Sequence, residues 1–206
     1  MTLHALVLAA GAGRRFGGGK LLADYRGHPL VTHALAAAFA APVISVRLVI
    51  GCDGAAVAQT ARAWAKRKQH DLSLVEGLDW TDGMAASLRA GIASLPSDAT
   101  GAFVFLGDMP DIPRAVLRPL AAAVHSGAPA AAPVFGAQRA HPVLLAREAL
   151  ALAELLEGDR GAAPVLARLG LRVAHVPTEN PGVLRDVDYL ADLPDAPEQP
   201  IEEIAI

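Results

Sequence analysis

The sequence predicts an α/β protein built on one doubly wound, mostly parallel sheet, and three observations lead there. Short apolar runs bounded by turn residues alternate with Ala-rich segments of helical length. Several of the runs are apolar at nearly every position, as strands covered on both faces must be. Hydrophobic residues make up 53% of the 206-residue chain while aromatics are only 4%, a balance that suits Ala-rich helices better than aromatic strands.

The first strand is expected at residues 4–10 (HALVLAA), and further strands at 43–50, 72–76, 102–107 and 128–135. Helices are expected between them at 31–40, 55–68, 84–94 and 114–126. In such a sheet, ligands gather beyond the carboxyl ends of the strands, where the loop after Ala10 and Asp108 both fall. After Phe135 the rhythm changes. The stretch GAQRAHPVLLAR reads as a turn and a short extended piece, followed by a helix at 148–156 and a GDRG turn at 158–161. A helix at 162–169 and a last strand at 171–176 complete a single domain over residues 1–193. Residues 194–206, rich in Pro and acid, read as a tail.

Bulk properties exclude several classes. A formal net charge of −3 gives no electrostatic case for nucleic acid. One cysteine, Cys52, supports neither a disulfide framework nor a Cys-based zinc site. Apolar runs stop well short of a membrane span, and no basic-then-apolar leader opens the chain, so a soluble cytoplasmic protein without membrane partners is expected.

The loop GAGRRFGGGK, residues 11–20, sets two arginines and a lysine among five glycines. Glycines let backbone N–H groups approach a phosphate, and the cations offset its charge. It is not a P-loop: Arg14 stands where the first Gly belongs, and Leu21 follows Lys20 where the magnesium-binding hydroxyl should be. A dinucleotide fingerprint starting at Gly11 and Gly13 fails at Phe16, and Asp53 is a loose match for the ribose-binding acid. A plain turn does not need so much concentrated charge.

Leu8, Ala9, Ala10 and Gly11, followed by Arg15, Gly17 and Lys20, resemble the L-A-A-G-x-S-x-R-M-G-x-x-K signature of MobA-like nucleotidyltransferases, with Gly13 replacing Ser and Phe16 replacing Met. The resemblance continues in order through WTDGMAASL (80–88), GDMP (107–110), AHPV (140–143) and GDRG (158–161). It is closest to the molybdenum cofactor cytidylyltransferase branch, which has Ala where the guanylyl branch has a second Gly; that position here is Ala10.

The resemblance implies a Rossmann-like, GT-A-like nucleotidyltransferase fold and a Mg²⁺-dependent transfer of a nucleoside monophosphate, releasing pyrophosphate. CTP or another NTP would be the donor. Molybdopterin-type molybdenum cofactor or another phosphate acceptor would receive it, and a molybdenum hydroxylase is a further partner. Catalysis would rest on Arg15 gripping the triphosphate, Lys20 as a point charge and Asp108. Nucleotide contacts would come from Leu8, Ala9, Ala10, Gly11, Ala12, Gly13, Gly83 and Ser87, and acceptor contacts from Met84, Met109, Pro110 and His141. Asp108 could instead cap the helix that Pro110 and Pro113 introduce, and His141 could be purely structural.

Enzymes of the wider family often close the metal site from a late D-x-D-T-P-E-D-L segment. Here DVDYLADL, residues 186–193, keeps the acids but loses Thr-Pro and Glu. Asp188 is the residue expected to face Asp108, with Asp186 as its partner or replacement; the alternative is that these acids cap a helix starting near Tyr189. Other readings are a guanylyl- or sugar-phosphate nucleotidyltransferase of similar fold, and a non-catalytic carrier that hands the cofactor on.

Overall fold

The computed structural model describes residues 1–194, so the tail expected beyond them lies outside the described residues. β1 (Leu3–Ala9) runs through the middle of the sheet and explains the unbroken apolar run at its start. Leu3, Ala5, Val7 and Ala9 pack into a core on one face, while Leu6 and Leu8 pack into a core on the other. Side chains alternate across a strand, so a strand buried on both faces can leave no position polar without a partner. The one polar side chain, buried His4, meets the Ser45 hydroxyl through Nδ1 at 2.8 Å, while its Nε2 finds no partner among the described residues.

A two-residue hairpin, β2 (Asp24–Tyr25) and β3 (His28–Pro29), leads into α1 (Leu30–Ala40). Then follow β4 (Ser45–Ile50), α2 (Gly54–Lys68), β5 (Leu72–Glu76), α3 (Met84–Ala93) and β6 (Gly101–Leu106). The chain continues with α4 (Leu117–His125), β7 (Ala130–Phe135), β8 (Gln138–Arg139), β9 (Val143–Ala146), α5 (Arg147–Ala153), α6 (Ala163–Leu169) and β10 (Val173–Pro177). The sheet order is β10-β7-β9-β6-β1-β4-β5, with β8 on β7. All pairs from β6 to β5 are parallel, as is β10 with β7, so the doubly wound, mostly parallel sheet is as expected.

The extended piece expected after Phe135 is a strand of the sheet interior. β9 lies antiparallel between β6 and β7 and is buried at Val143, Leu144 and Leu145. Pro133, which has no N–H to donate, falls between the part of β7 that pairs with β9 and the part that pairs with β8.

Helices cover the two faces by apolar stripe. Val31, Leu35 and Ala38 of α1, Val57, Ala61 and Trp64 of α2, and Leu117, Leu120 and Val124 of α4 join one core. Leu88 and Ile92 of α3, Leu150 of α5, and Val165, Leu166 and Leu169 of α6 join the other. α3 lies unusually close to the sheet, because a Cβ at Gly91 would stand 3.1 Å from Leu6 and from Val49. Two expected helices are shorter than their apolar patterns. Pro113 delays α4 behind a 3-10 turn at Arg114–Val116, and α5 stops at Ala153 instead of reaching 156. The helix expected near Tyr189 is a single 3-10 turn, Leu190–Asp192. No described helix is long and apolar enough to cross a membrane.

Candidate active site

The carboxyl ends of β1 and β6 open onto a cleft of about 480 Å³. Its floor is apolar, formed by Leu8, Ala10 and Leu106, and Trp80 lines it as well. Gly51 lets the chain pass here, since a Cβ on it would stand 2.7 Å from both Ala10 Cβ and Trp80 Cγ. A flat, partly apolar slot of this kind accepts a ring.

The Gly-rich loop forms another wall. Gly11, Ala12, Gly13 and Arg14 line the cleft, and Gly13 adopts φ 56°, which a side chain would strain. The loop folds on itself through Phe16 and Gly18, whose N–H groups both donate to Gly13 O. By contrast, the N–H groups of Gly11, Ala12 and Gly13 find no acceptor among the described residues. Unpaired backbone donors on a Gly-rich turn that lines a cleft are a cradle available to an anion.

The third wall is the start of α3 with Thr81, Asp82, Gly83, Met84 and Ser87. It is held by the GDRG loop. Asp159 Oδ1 accepts the Met84 N–H at 3.1 Å, and Gly158 O accepts the Ala85 N–H at 3.0 Å. Asp159 therefore caps α3, not the helix that follows it in sequence.

Charge is concentrated at one side of the cleft. Lys20 Nζ donates to Asp108 Oδ2 at 2.7 Å and to Asp188 Oδ1 at 3.3 Å, while an Arg15 guanidinium N–H donates to Asp188 Oδ2 at 2.9 Å. The Lys20 side chain is 11% exposed, Asp108 24%, Asp188 33% and Arg15 69%. Burial alone would lower the Lys20 ammonium, but the two carboxylates outweigh it and hold its pKa above the usual lysine value. Asp186 makes no ion pair among the described residues; partial burial and the charges of Asp188 and Asp108 push its carboxyl up. The turn after Asp188 is capped by Asp192, whose Oδ2 accepts the N–H groups of Asp188 at 2.8 Å and Tyr189 at 2.7 Å. That leaves the Asp188 carboxylate to Arg15 and to Lys20, which it shares with Asp108.

The expected residues do not all reach the cleft. Leu8, Ala10, Gly11, Ala12, Gly13, Gly83, Met84, Ser87 and Asp108 line it, whereas Arg15, Lys20 and Asp188 stand beside it, joined to its lining through the Lys20–Asp108 ion pair. Ala9 turns into the core behind the sheet because neighbouring strand residues face opposite sides. Met109 is also buried in that core, which corrects its assignment to the acceptor. Pro110 is buried and borders a separate cavity with Asp111 and Arg185, so it too lies off the cleft. His141 does not line the cleft either; its Nδ1 is buried with no partner among the described residues, and burial holds its pKa below the usual histidine value. Arg14, Trp80 and Asp159 were not singled out from the sequence. Arg14 sits beside Arg15, and only the turn geometry decides which of them enters the cleft. Asp53 does not line it, against a dinucleotide site.

Asp108 and Asp188 are the only carboxylates of this group that share a cation. Among the described residues, no set of three or more His, Cys, Asp or Glu side chains converges on a metal position. Two carboxylates at the edge of an anion cradle nevertheless fit a hard divalent cation, which completes its shell with phosphate oxygens and water.

Comparison with known proteins finds the same fold in solved nucleotidyltransferase-like structures. Rv0371c from Mycobacterium tuberculosis H37Rv superposes with a TM-score of 0.76 at 29% identity, covering 93% of this chain and 95% of that one. The same mycobacterial protein in complex with manganese gives a TM-score of 0.67 at 27% identity, over 86% of this chain and 89% of that one. Molybdopterin-guanine dinucleotide biosynthesis protein A from Archaeoglobus fulgidus shares the fold, with a TM-score of 0.63 at 21% identity over 92% and 94% of the two chains. No curated protein matches the chain by sequence at a significant level. The model of the MobA-like NTP transferase domain matches residues 5–174, and the chain belongs to that family of nucleotidyltransferases.

Proposed function

We propose that this nucleotidyltransferase transfers a cytidylyl group from CTP to the phosphate of a molybdopterin-type molybdenum cofactor, releasing pyrophosphate. The observation that carries the reading is the cradle of unpaired N–H groups at Gly11, Ala12 and Gly13, which lies in the same cleft as the carboxylate of Asp108. It supplies donors for a triphosphate on one wall and a cation seat on another.

In this reading an acceptor phosphate oxygen attacks the α-phosphorus, and the bond from that phosphorus to the bridging oxygen breaks, so that pyrophosphate leaves. The loop N–H groups and Arg14 bind the triphosphate and hold it in line. Lys20 supplies a compact positive charge at the transferring phosphate. A phosphate monoester is largely ionised at neutral pH, with its second pKa at about 6, so no general base is required. Asp108 and Asp188 would hold Mg²⁺, which when bound neutralises the triphosphate and polarises its oxygens. The mycobacterial relative crystallised in complex with manganese supports a divalent ion as part of the reaction.

Base choice rests on Ala10. Its methyl group packs on the cleft floor near Gly51 and Trp80 and takes up room that a purine would need. Pyrophosphate release is therefore expected to be faster with CTP than with GTP at matched concentration, in the presence of purified cofactor and Mg²⁺. A preference for GTP would move the protein to guanylyl transfer, and release without any molybdenum cofactor but with a sugar phosphate would replace the acceptor.

A further inference from the structure

Lys20 does more in this structure than wait for a phosphate. Its ammonium bridges Asp108 and Asp188, the two carboxylates that would hold the divalent cation. We propose that Lys20 keeps the cation's place in the nucleotide-free enzyme and gives it up only to a triphosphate, so that metal and nucleotide bind as a coupled pair. The proposal rests on the reading of Asp108 and Asp188 as metal ligands, and not on the identity of the base or the acceptor.

Metal and ammonium compete for the same carboxylate oxygens. Mg²⁺ needs carboxylate oxygens at about 2.0–2.1 Å in a nearly octahedral shell. An ammonium already 2.7 Å from Asp108 Oδ2 and 3.3 Å from Asp188 Oδ1 is directed at the same pair, and two cations drawn that close repel each other. The lysine cannot simply lean into water, because its side chain is only 11% exposed. Gly13 packs on its stem so closely that a Cβ there would stand 2.9 Å from Lys20 Cβ. Removing the ammonium from both carboxylates without a new partner would leave a charge in a half-buried place, which is unfavourable.

A triphosphate changes the balance. It enters along the wall that Gly13 lines and offers Lys20 an anion within reach of its flexible stem. Once the ammonium turns to the phosphate, Asp108 and Asp188 are free to bind the metal that the phosphates also bind. Each ligand thereby removes an obstacle to the other, and linkage makes that coupling reciprocal. Arg15, largely exposed, holds only the far oxygen of Asp188 and can stay there throughout.

Mn²⁺ titration of the full chain without nucleotide, with free Mn²⁺ read by electron paramagnetic resonance, tests this. The wild type should bind Mn²⁺ weakly, and Lys20→Met should bind it about tenfold tighter or more, the scale of a typical coupling. Lys20→Gln, which keeps a polar end, should also bind more tightly, so a folding defect in one variant does not decide the result. Adding Asp108→Asn to Lys20→Met should abolish the gain. CTP should tighten Mn²⁺ binding strongly in the wild type and much less in Lys20→Met. Unchanged or weaker Mn²⁺ binding in both lysine variants overturns the proposal. Tighter binding in a protein that does not use CTP would leave it standing while the choice of substrate fell.

Discussion

Asp188 directs its carboxylate to Arg15 and Lys20, whereas Asp192, one turn later, commits its own to the N–H groups of Asp188 and Tyr189. The two acids therefore separate stability from chemistry. Asp188→Asn should leave the melting temperature nearly unchanged, because an amide still accepts from Arg15. It should lower metal-dependent turnover by about a hundredfold, the scale for losing a preorganised charge at a transferring phosphate. Asp192→Ala should do the reverse and lower the melting temperature, with turnover retained in the folded fraction. The two backbone donors hold the Asp192 carboxyl below its usual pKa. Its contribution is thus complete at neutral pH and is lost only as pH falls through that depressed value. Parallel melting curves and initial rates at pH 7 separate these outcomes, and a low-melting, fully active Asp188→Asn would make Asp188 the cap. The sequence made all these acids visible. It could not divide the roles, because a cap is defined by which N–H groups a carboxylate can reach and not by its spacing.

At the scale of elements, periodicity was enough to read the strands and helices that bury a continuous face. β5 lies where its apolar run does, and α1, α2 and α3 differ from expectation by a residue. Strand order has no such local signature, so the antiparallel insertion of β9 between β6 and β7 was not legible. The role of the GDRG loop was hidden for a similar reason: its Asp159 serves α3, which lies 75 residues earlier. That contact gives the loop a share in the site. Gly83 sits at φ 100°, and a Cβ there would stand 2.7 Å from Gly158 C and O. Gly83→Ala should therefore both strain the backbone, by about 1–3 kcal/mol, and push the loop off α3. Nucleotide affinity, read by titrating CTP against intrinsic Trp fluorescence, should fall by about tenfold or more. Asp159→Ala removes only the cap, about 1 kcal/mol, and should weaken binding less. If both variants bind CTP as the wild type does, the third wall of the cleft takes no part in holding the nucleotide.

At the scale of the molecule, the site is assembled by topology. β1 and β6 run parallel and side by side, so their following loops, carrying Gly11 and Asp108, emerge at one edge. That much follows from alternating strands and helices. Asp188 arrives by another route: a strap that crosses back from β10 toward the N-terminal loop. Its register is set by Val187, whose N–H donates to Asp108 O at 3.0 Å and whose side chain is buried with Phe16, Tyr25 and Leu30. A single valine in an acid-rich segment gives no pattern to read, which is why this anchor was not legible. Val187→Ala should remove buried methyl groups at about 2 kcal/mol. In a chain of this size that lowers the melting temperature by roughly 4–8 °C. Unlike an ordinary core substitution, it should also reduce metal-dependent turnover at temperatures where the protein is fully folded, because Asp188 loses its position against Asp108. Mn²⁺ with CTP should recover part of the lost melting temperature, since ligands that bind only the ordered strap favour it by mass action. Full turnover in a folded but less stable Val187→Ala would mean that the ion pairs of Arg15 and Lys20 hold Asp188 in place without the anchor beneath it.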